Sequence, residues 1–350
     1  MDWLLNGSVF LLAIASLLTL ASVAPNLAWN QALWFVLGFF IIFIFSIINW
    51  HTLTNYRWLF FSIYGVAVTL LIITYFFAPT IRGIKGWLVI GPLQLQTAEV
   101  AKLALIILFS YFFTHRHVGM GQWQNIVVSF VYLLIPAILI LMQPDMGSVM
   151  VLFGIWLCFL FISGIRQRHL IIGLLLIAIM ATVGWHSFLQ DYQKERVIGL
   201  FNPTYDPLGI NYGVIQSKIA IGSAGFLGKG FHQGTQTRLD FLPEAATDFI
   251  FAAFVEEWGL LGMMITLSAL IFLIIRIIKI GAAANNNFTR FLCLGTAALF
   301  LIHLALNLGS NLGLSPVVGI PLTFFSYGGS NLIVSAALIG IVQSAEVSRG

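Results

Sequence analysis

Charge is what this sequence has least of. Its 350 residues include 16 lysines and arginines and 12 aspartates and glutamates, or 8% in all. A soluble domain carries roughly 25% charged residues. A soluble protein of this size needs a charged surface, so the deficit cannot be hidden in a core, and hydrocarbon must be the solvent for most of the chain. Cysteine is scarcer still. Cys158 and Cys293 both lie in apolar runs; they read as buried small hydrophobes, and nothing supports a disulfide or a CxxC metal site. No His/Cys cluster suits a structural metal. The basic residues are too few and scattered for a phosphate-tracking groove, so the net charge of +4 does not point to nucleic acid as a partner. The first apolar run, 8–24, has no basic residue before it and reads as a retained helix, not a cleaved signal peptide.

What the sequence has is apolar length. A spanning helix needs ~20 apolar residues. Ten segments qualify or nearly qualify, at about 8–24, 31–49, 58–78, 98–114, 125–142, 147–163, 169–190, 248–275, 290–309 and 326–345. This predicts an all-α polytopic membrane protein of about ten transmembrane helices, one membrane domain over 1–350. With a cytoplasmic N-terminus, Arg57, Arg116, Arg166, Arg168, Arg276, Lys279, Arg290 and Arg349 fall inside, and Arg82 and Lys85 outside. That split obeys the positive-inside rule and places both termini in the cytoplasm. All carboxylates except Asp2 and Glu346 then lie on or near the outer half. Residues 191–247 form the one long hydrophilic stretch, a large extracytoplasmic loop in this topology. It is too long for a plain connection and not low-complexity, which predicts short helices on the outer surface.

Five constellations could carry chemistry. In the first, Pro243 ends the loop, and Thr247 or a neighbour can cap the next helix. Glu244 and Asp248 share a face if that helix starts early. Asp248 opens a run that enters the membrane, where low dielectric suits a general base; the alternative is a helix cap favoured by the dipole. In the second, Glu99 and Lys102 can pair on one helix face, as a packing ion pair, a functional pair or both. The third is the turn from Gln143 to Ser148, where Asp145 is an Asx-turn residue or more. The fourth is the glycine-rich run from Gly222 to Gly230 with Gly234 to Thr237. Its backbone and Lys229 could cradle phosphate oxygens, although the spacing is not that of a Walker A motif; a flexible surface turn is the alternative. The fifth runs from Gly319 to Asn331. Pro321, Gly328 and Gly329 imply broken helix at membrane depth, tolerated only where it is buried in protein or lines a cavity. Glu256 and Glu257 lie roughly 80° and 180° around the helix from Asp248, so at most one serves the same cavity. His303 and Asn307 read as interhelical hydrogen-bonding residues.

Together these motifs resemble the SEDS family (shape, elongation, division and sporulation). The resemblance covers nearly the whole chain and is strongest from Asn202 to Gly340. Asp206 to Gly209, Gln216 to Ser223, Gly228 to Gly230 and Gly234 to Thr237 look more like its rod-shape branch than its division branch. The chain departs from the family pattern at Thr97 and Ala98, at Thr323 (where a second proline is usual) and at Asn331. The resemblance implies a peptidoglycan glycosyltransferase that polymerises lipid II, an undecaprenyl-linked glycan, during cell elongation. The site would lie at the outer face of the bacterial cytoplasmic (inner) membrane. The partner implied is a class B penicillin-binding protein acting as transpeptidase. The family's essential aspartate matches Asp248, and its Glu/Lys pair matches Glu99 and Lys102. Asp248 would deprotonate the acceptor hydroxyl in an inverting displacement. Positive charge for the leaving diphosphate would come from Lys102, Lys218, Lys229, Arg196 or Arg238, or from a divalent cation (Mg or Mn) held by carboxylates. Glu99, Glu244, Asp145, Ser326 and Ser330 are further substrate-binding candidates. A lipid II flippase and a scaffold of the wall-synthesis complex are the rival readings.

Overall fold

The structure, a computed structural model, describes the chain apart from residues 1, 82, 92, 117–122, 166–167, 170–172, 174–190, 203 and 348–350. It is mostly helical. Among the described residues, seven helices are long and apolar enough to cross a membrane: α1 (Trp3–Val23), α2 (Pro25–Ile47), α4 (Arg57–Phe77), α5 (Thr97–Arg116), α6 (Trp123–Leu141), α11 (Ile250–Ala282) and α12 (Asn287–Leu312). Two shorter apolar helices, α7 (Met146–Ile162) and α13 (Gly329–Val347), join them. The expected span 169–190 lies almost wholly outside the described residues, as do Arg82, Arg166 and Arg349. The chain is a multi-pass membrane protein.

Two expectations need correction. The chain is not all-α: strands β1 (Trp87–Ile90) and β2 (Leu93–Gln96) form an antiparallel hairpin, with Trp87 opposite Gln96 and Ile90 opposite Leu93. The helix expected to open at residue 248 opens at Ile250 (α11) and has no side-chain cap. Pro243 and Glu244 turn the chain first, with Glu244 in the left-handed region at φ 48 and Thr247 N–H donating to the Glu244 carbonyl at 3.0 Å. Thr247 therefore caps nothing, and Glu244 and Asp248 do not share a helix face.

The remaining helices are short: α3 (Trp50–Leu53), and in the hydrophilic stretch α8 (Asp191–Phe201), α9 (Tyr212–Ser223) and α10 (Thr235–Arg238). Asn211 is buried and ties two of them together, its amide donating to the carbonyls of Gly199, Asn202 and Tyr205. The core packs α13 on α2, α1 and α12 on α11, and α5 on α4 and α12. Its centre is a continuous apolar cluster that includes Phe109, Phe113, Phe159, Phe291 and Phe300.

Helix α11 has 33 residues. At about 1.5 Å per residue it is longer than the ~30 Å hydrocarbon layer. It is broken at Gly259, where φ is 69 and ψ −167. The break frees backbone groups, and the glycine-rich loop satisfies them. Lys229 and Gly230 donate N–H groups to the carbonyls of Glu256 and Glu257 at 3.0 Å, and Leu260 and Leu261 donate to Gly225 and Phe226 at 3.0 Å. The Gly222–Gly230 run is thus a splint on a broken helix. Its Lys229 and Gly230 amides are turned inward, away from any phosphate, and the loop is not a free surface turn.

Gly259 is required twice, by its positive φ and by close approach: a Cβ there would lie 2.2 Å from the Gly228 nitrogen. Gly259→Ala should destabilise the protein by on the order of 2 kcal/mol or more, from backbone strain and overpacking. Gly7→Ala is the control, because a Cβ on Gly7 meets nothing within 4 Å. Thermal unfolding in detergent should separate the two variants; equal midpoints would remove the splint.

Candidate functional site

The site is assembled around a segment that is neither helix nor strand. Helix α12 stops at Gly313, which takes the left-handed conformation. The chain from there to α13 is irregular, yet Ile320, Leu322, Thr323, Phe324, Phe325 and Ser326 are buried. Side chains from three helices, backbone carbonyls of the turn before α11 and the segment's own Ser326 satisfy its hydrogen bonds. Ser16 donates to the Phe325 carbonyl at 2.7 Å, and Gln31 donates to that of Ser326 at 3.3 Å and accepts from Gly328 N–H. Asn307 donates to Ile320 at 2.9 Å. Ser326 Oγ accepts from Leu322 N–H and donates to the Thr247 carbonyl at 2.8 Å. Tyr327 N–H donates to Ala246 at 3.0 Å. The sequence led us to expect broken helix over Gly319–Asn331, buried in protein or lining a cavity; the backbone is irregular and largely buried up to Gly328, and Gly329 to Asn331 open α13.

Asp248 sits on the turn this segment holds. Its carbonyl accepts from the amides of Asn307 at 3.2 Å and Asn311 at 3.0 Å. Its carboxylate faces Gly319, where an added Cβ would stand 3.9 Å from Oδ2. It is partly exposed. The next residue, Phe249, forms part of the wall of a cavity of about 370 Å³ between α8, α9 and the turn after α12. Arg196 and Lys218 line the same cavity. Arg196 reaches across it to the Val317 carbonyl at 2.7 Å. Lys218 is exposed and its ammonium lies against Gly313. Arg196 and Lys218 thus line one cavity; Asp248 is not among its lining residues and is joined to it through the wall residue Phe249 that follows it.

The other candidates are placed differently. Glu99 and Lys102 form an ion pair at 2.6 Å with exposures of 1% and 0%, and Asn331 donates to the second Glu99 oxygen at 3.2 Å. Asn331 is one of the departures from the family pattern, and here it satisfies a buried carboxylate. Asp145 is the N-cap of α7: it accepts from Ser148 N–H at 3.0 Å and Ser148 Oγ at 2.8 Å, and Gln96 donates to it at 3.3 Å. Ser330 links the hairpin to α13, accepting from Gln96 N–H and donating to the Gln94 carbonyl. Glu244 is exposed and accepts from its own turn's Thr247 hydroxyl. Arg238 is exposed at the end of α10.

Lys229 pairs with Glu256 at 2.7 Å. That carboxylate also accepts from the Thr235 hydroxyl and from the N–H groups of Gln236 and Thr237. Glu257 accepts instead from the Ser22 hydroxyl of α1. Neither glutamate lines the cavity beside Phe249. Among the described residues, no three His, Cys, Asp or Glu side chains gather to hold a metal ion. Sequence reasoning missed Asn311, although its spacing of four from Asn307 marks a shared helix face.

The architecture is that of a polytopic membrane protein whose polar site is built on interrupted helices and closed by surface helices. The cell cycle protein family of FtsW, RodA and SpoVE matches residues 3–349, and the chain belongs to that family. It is 39% identical to the peptidoglycan glycosyltransferase MrdB of Escherichia coli K12 over 287 residues, covering 82% of this chain and 77% of the relative. Identity to the MrdB of Helicobacter pylori J99 is 34% over 339 residues, covering 95% and 86%. One similar solved chain comes from a peptidoglycan synthase complex described for its structural coordination of polymerization and crosslinking. It aligns with a TM-score of 0.85 at 30% identity, over 99% of this chain and 98% of that one. Thermus thermophilus RodA aligns with a TM-score of 0.73 at 26% identity, over 99% and 97%. The chain is a glycosyltransferase with a RodA-like fold.

Lys229→Met leaves a fully buried Glu256 carboxylate with neutral donors only. Loss of one charge-assisted bond should cost about 1–3 kcal/mol. The thermal midpoint should fall, and adding Glu256→Gln should restore part of it. An unchanged midpoint for Lys229→Met would show that the pair does not hold the loop.

Proposed function

We propose that this protein polymerises lipid II into glycan strands at the outer face of the bacterial cytoplasmic membrane during cell elongation, with Asp248 as general base. The observation that carries the reading is the placement of Asp248. It is a partly exposed carboxylate on a hydrogen-bonded turn, and the residue after it, Phe249, forms part of the wall of the cavity that Arg196 and Lys218 line. Polymerisation needs this arrangement. The acceptor hydroxyl oxygen attacks the anomeric carbon, its proton passes to the carboxylate, and the lipid diphosphate leaves with the electron pair of the broken C–O bond. One such displacement inverts the anomeric centre, so no second carboxylate nucleophile is required. The negative charge developing on the diphosphate is stabilised by preorganised cations.

The long stretch 191–247 belongs to the outer side in this reading, and both termini to the cytoplasm. A class B penicillin-binding protein supplies the transpeptidase. Support for that partner comes from the neighbour solved within a synthase complex. The buried Glu99–Lys102 pair fixes α5 against α13 through Asn331 and does not line the cavity.

The test is polymerisation of purified lipid II with and without the penicillin-binding partner. Asp248→Asn should lose roughly 10²–10⁴-fold in rate, the range for general-base catalysis, at an unchanged unfolding midpoint. Equal rates would remove Asp248 as the base. Lipid II translocation in vesicles without any polymer would replace the enzyme by a flippase.

A further inference from the structure

His303 lies on α12, fully buried. Its Nδ1 stands 3.3 Å from the Thr323 hydroxyl of the irregular segment. Its Nε2 is buried and has no hydrogen-bond partner within the protein. A buried ring nitrogen without a partner carries a desolvation cost of about 1–3 kcal/mol, and buried polar atoms almost always find a protein or water partner. A group with donors to offer on the adjoining helix is Lys102. Helix α5 packs directly on α12, and the Lys102 ammonium is near enough to act electrostatically on the ring. An ammonium has three donors, and the bond to Glu99 uses one of them.

We infer that His303 is a positioning residue for Lys102: its Nε2 is the second acceptor for the ammonium, through one bridging water. The tautomer follows. If Nε2 accepts, the ring proton is on Nδ1 and donates to the Thr323 hydroxyl. The ring is neutral, because an imidazolium here would set a second buried cation beside Lys102 with one carboxylate to serve both. Thr323 thereby fixes the tautomer, and the tautomer fixes the ammonium. The arrangement couples the irregular segment to the Glu99–Lys102 pair across α12, one turn from Asn307, which holds Asp248.

The deciding measurement is ¹⁵N NMR of histidine-labelled full-length protein in detergent, with the His303 signals assigned by their loss in His303→Gln. The expected spectrum shows a neutral ring protonated on Nδ1, and the Nε2 resonance shifts in Lys102→Met. A proton on Nε2, an imidazolium, or an Nε2 resonance indifferent to Lys102→Met overturns the proposal. If Lys102→Met does not fold, Thr323→Val replaces it: the expected result is loss of the single tautomer, and an unchanged tautomer overturns the proposal.

These readings are independent of catalysis. The kinetic arm rests on the function proposed above. His303→Gln, whose amide oxygen can accept the same bond, should keep kcat within about threefold. His303→Leu, which frees Thr323 of the irregular segment beside the Asp248 turn, should lose roughly tenfold in kcat with KM little changed, a scale within that expected for a small misplacement transmitted to the site. Equal losses in two folded variants overturn the positioning role. An inactive wild type would instead overturn the proposed function and leave the NMR result standing.

Discussion

A chain that interrupts its helices inside hydrocarbon must find a partner for every backbone group it frees. Among the described residues the two largest such interruptions are at Gly259 and between Gly313 and Gly328, and much of the structure is arranged around their repair. At Gly259 the repair is backbone: the Gly225–Gly230 loop lies along the kink and exchanges bonds with it. Between Gly313 and Gly328 the repair is by side chains. Ser16, Gln31, Asn307 and Ser326 each reach a carbonyl of the segment or of the adjoining turn. Helices α1 and α2 are otherwise almost wholly apolar, and their few buried polar residues include the two that make these bonds.

The repairs also aim the chemistry. Asp248 is on a turn, so no regular helix fixes its direction. Tertiary bonds do this instead: Ser326 on Thr247, Tyr327 on Ala246, and the two asparagines on Asp248 itself. A carboxylate held in this way is preorganised without being embedded, which suits the general-base role proposed for it. The Glu99–Lys102 pair is embedded. A buried ion pair is weak evidence of stability, because desolvation offsets the attraction. Its value is directional: Asn331 on the second Glu99 oxygen fixes where α13 meets α5.

Much of this was legible in the sequence, for physical reasons that also mark the limits. Hydropathy located the helices because the solvent is hydrocarbon, and the clustering of proline and glycine from Gly319 to Gly329 revealed the interrupted segment. The hairpin was missed, although Trp87-Leu88-Val89-Ile90 followed by Gly91 is a strand and turn signal; against so apolar a background it reads as one more greasy connection. The helix at Ile250 starts later than the pattern suggests, because a left-handed Glu244 costs little in an exposed turn and the sequence does not show it. The glycine-rich loop resembles a phosphate cradle for a sound reason, its unpaired amides. That a kink elsewhere in the chain claims them is a tertiary fact. So is the Lys229–Glu256 pair, whose members stand 27 positions apart.

The tie between the Asp248 turn and the α9 helix that carries Lys218 runs through one residue that sequence reasoning overlooked. Asn311 donates its amide to the Asp248 carbonyl at 3.0 Å, and its own carbonyl accepts from Ser217 of α9 at 2.8 Å. Ser217 is the residue before Lys218, whose ammonium rests against Gly313, two positions beyond Asn311. The end of α12 therefore grips both the turn that carries the carboxylate and the surface helix that carries the cation. The grip adds a polar tie to the apolar packing of α9 on α11, where Ala220 clusters with Phe249, Ala252 and Ala253. In the function proposed above, this linkage is what keeps the Asp248 carboxylate and the Lys218 ammonium in register while substrate is displaced around them.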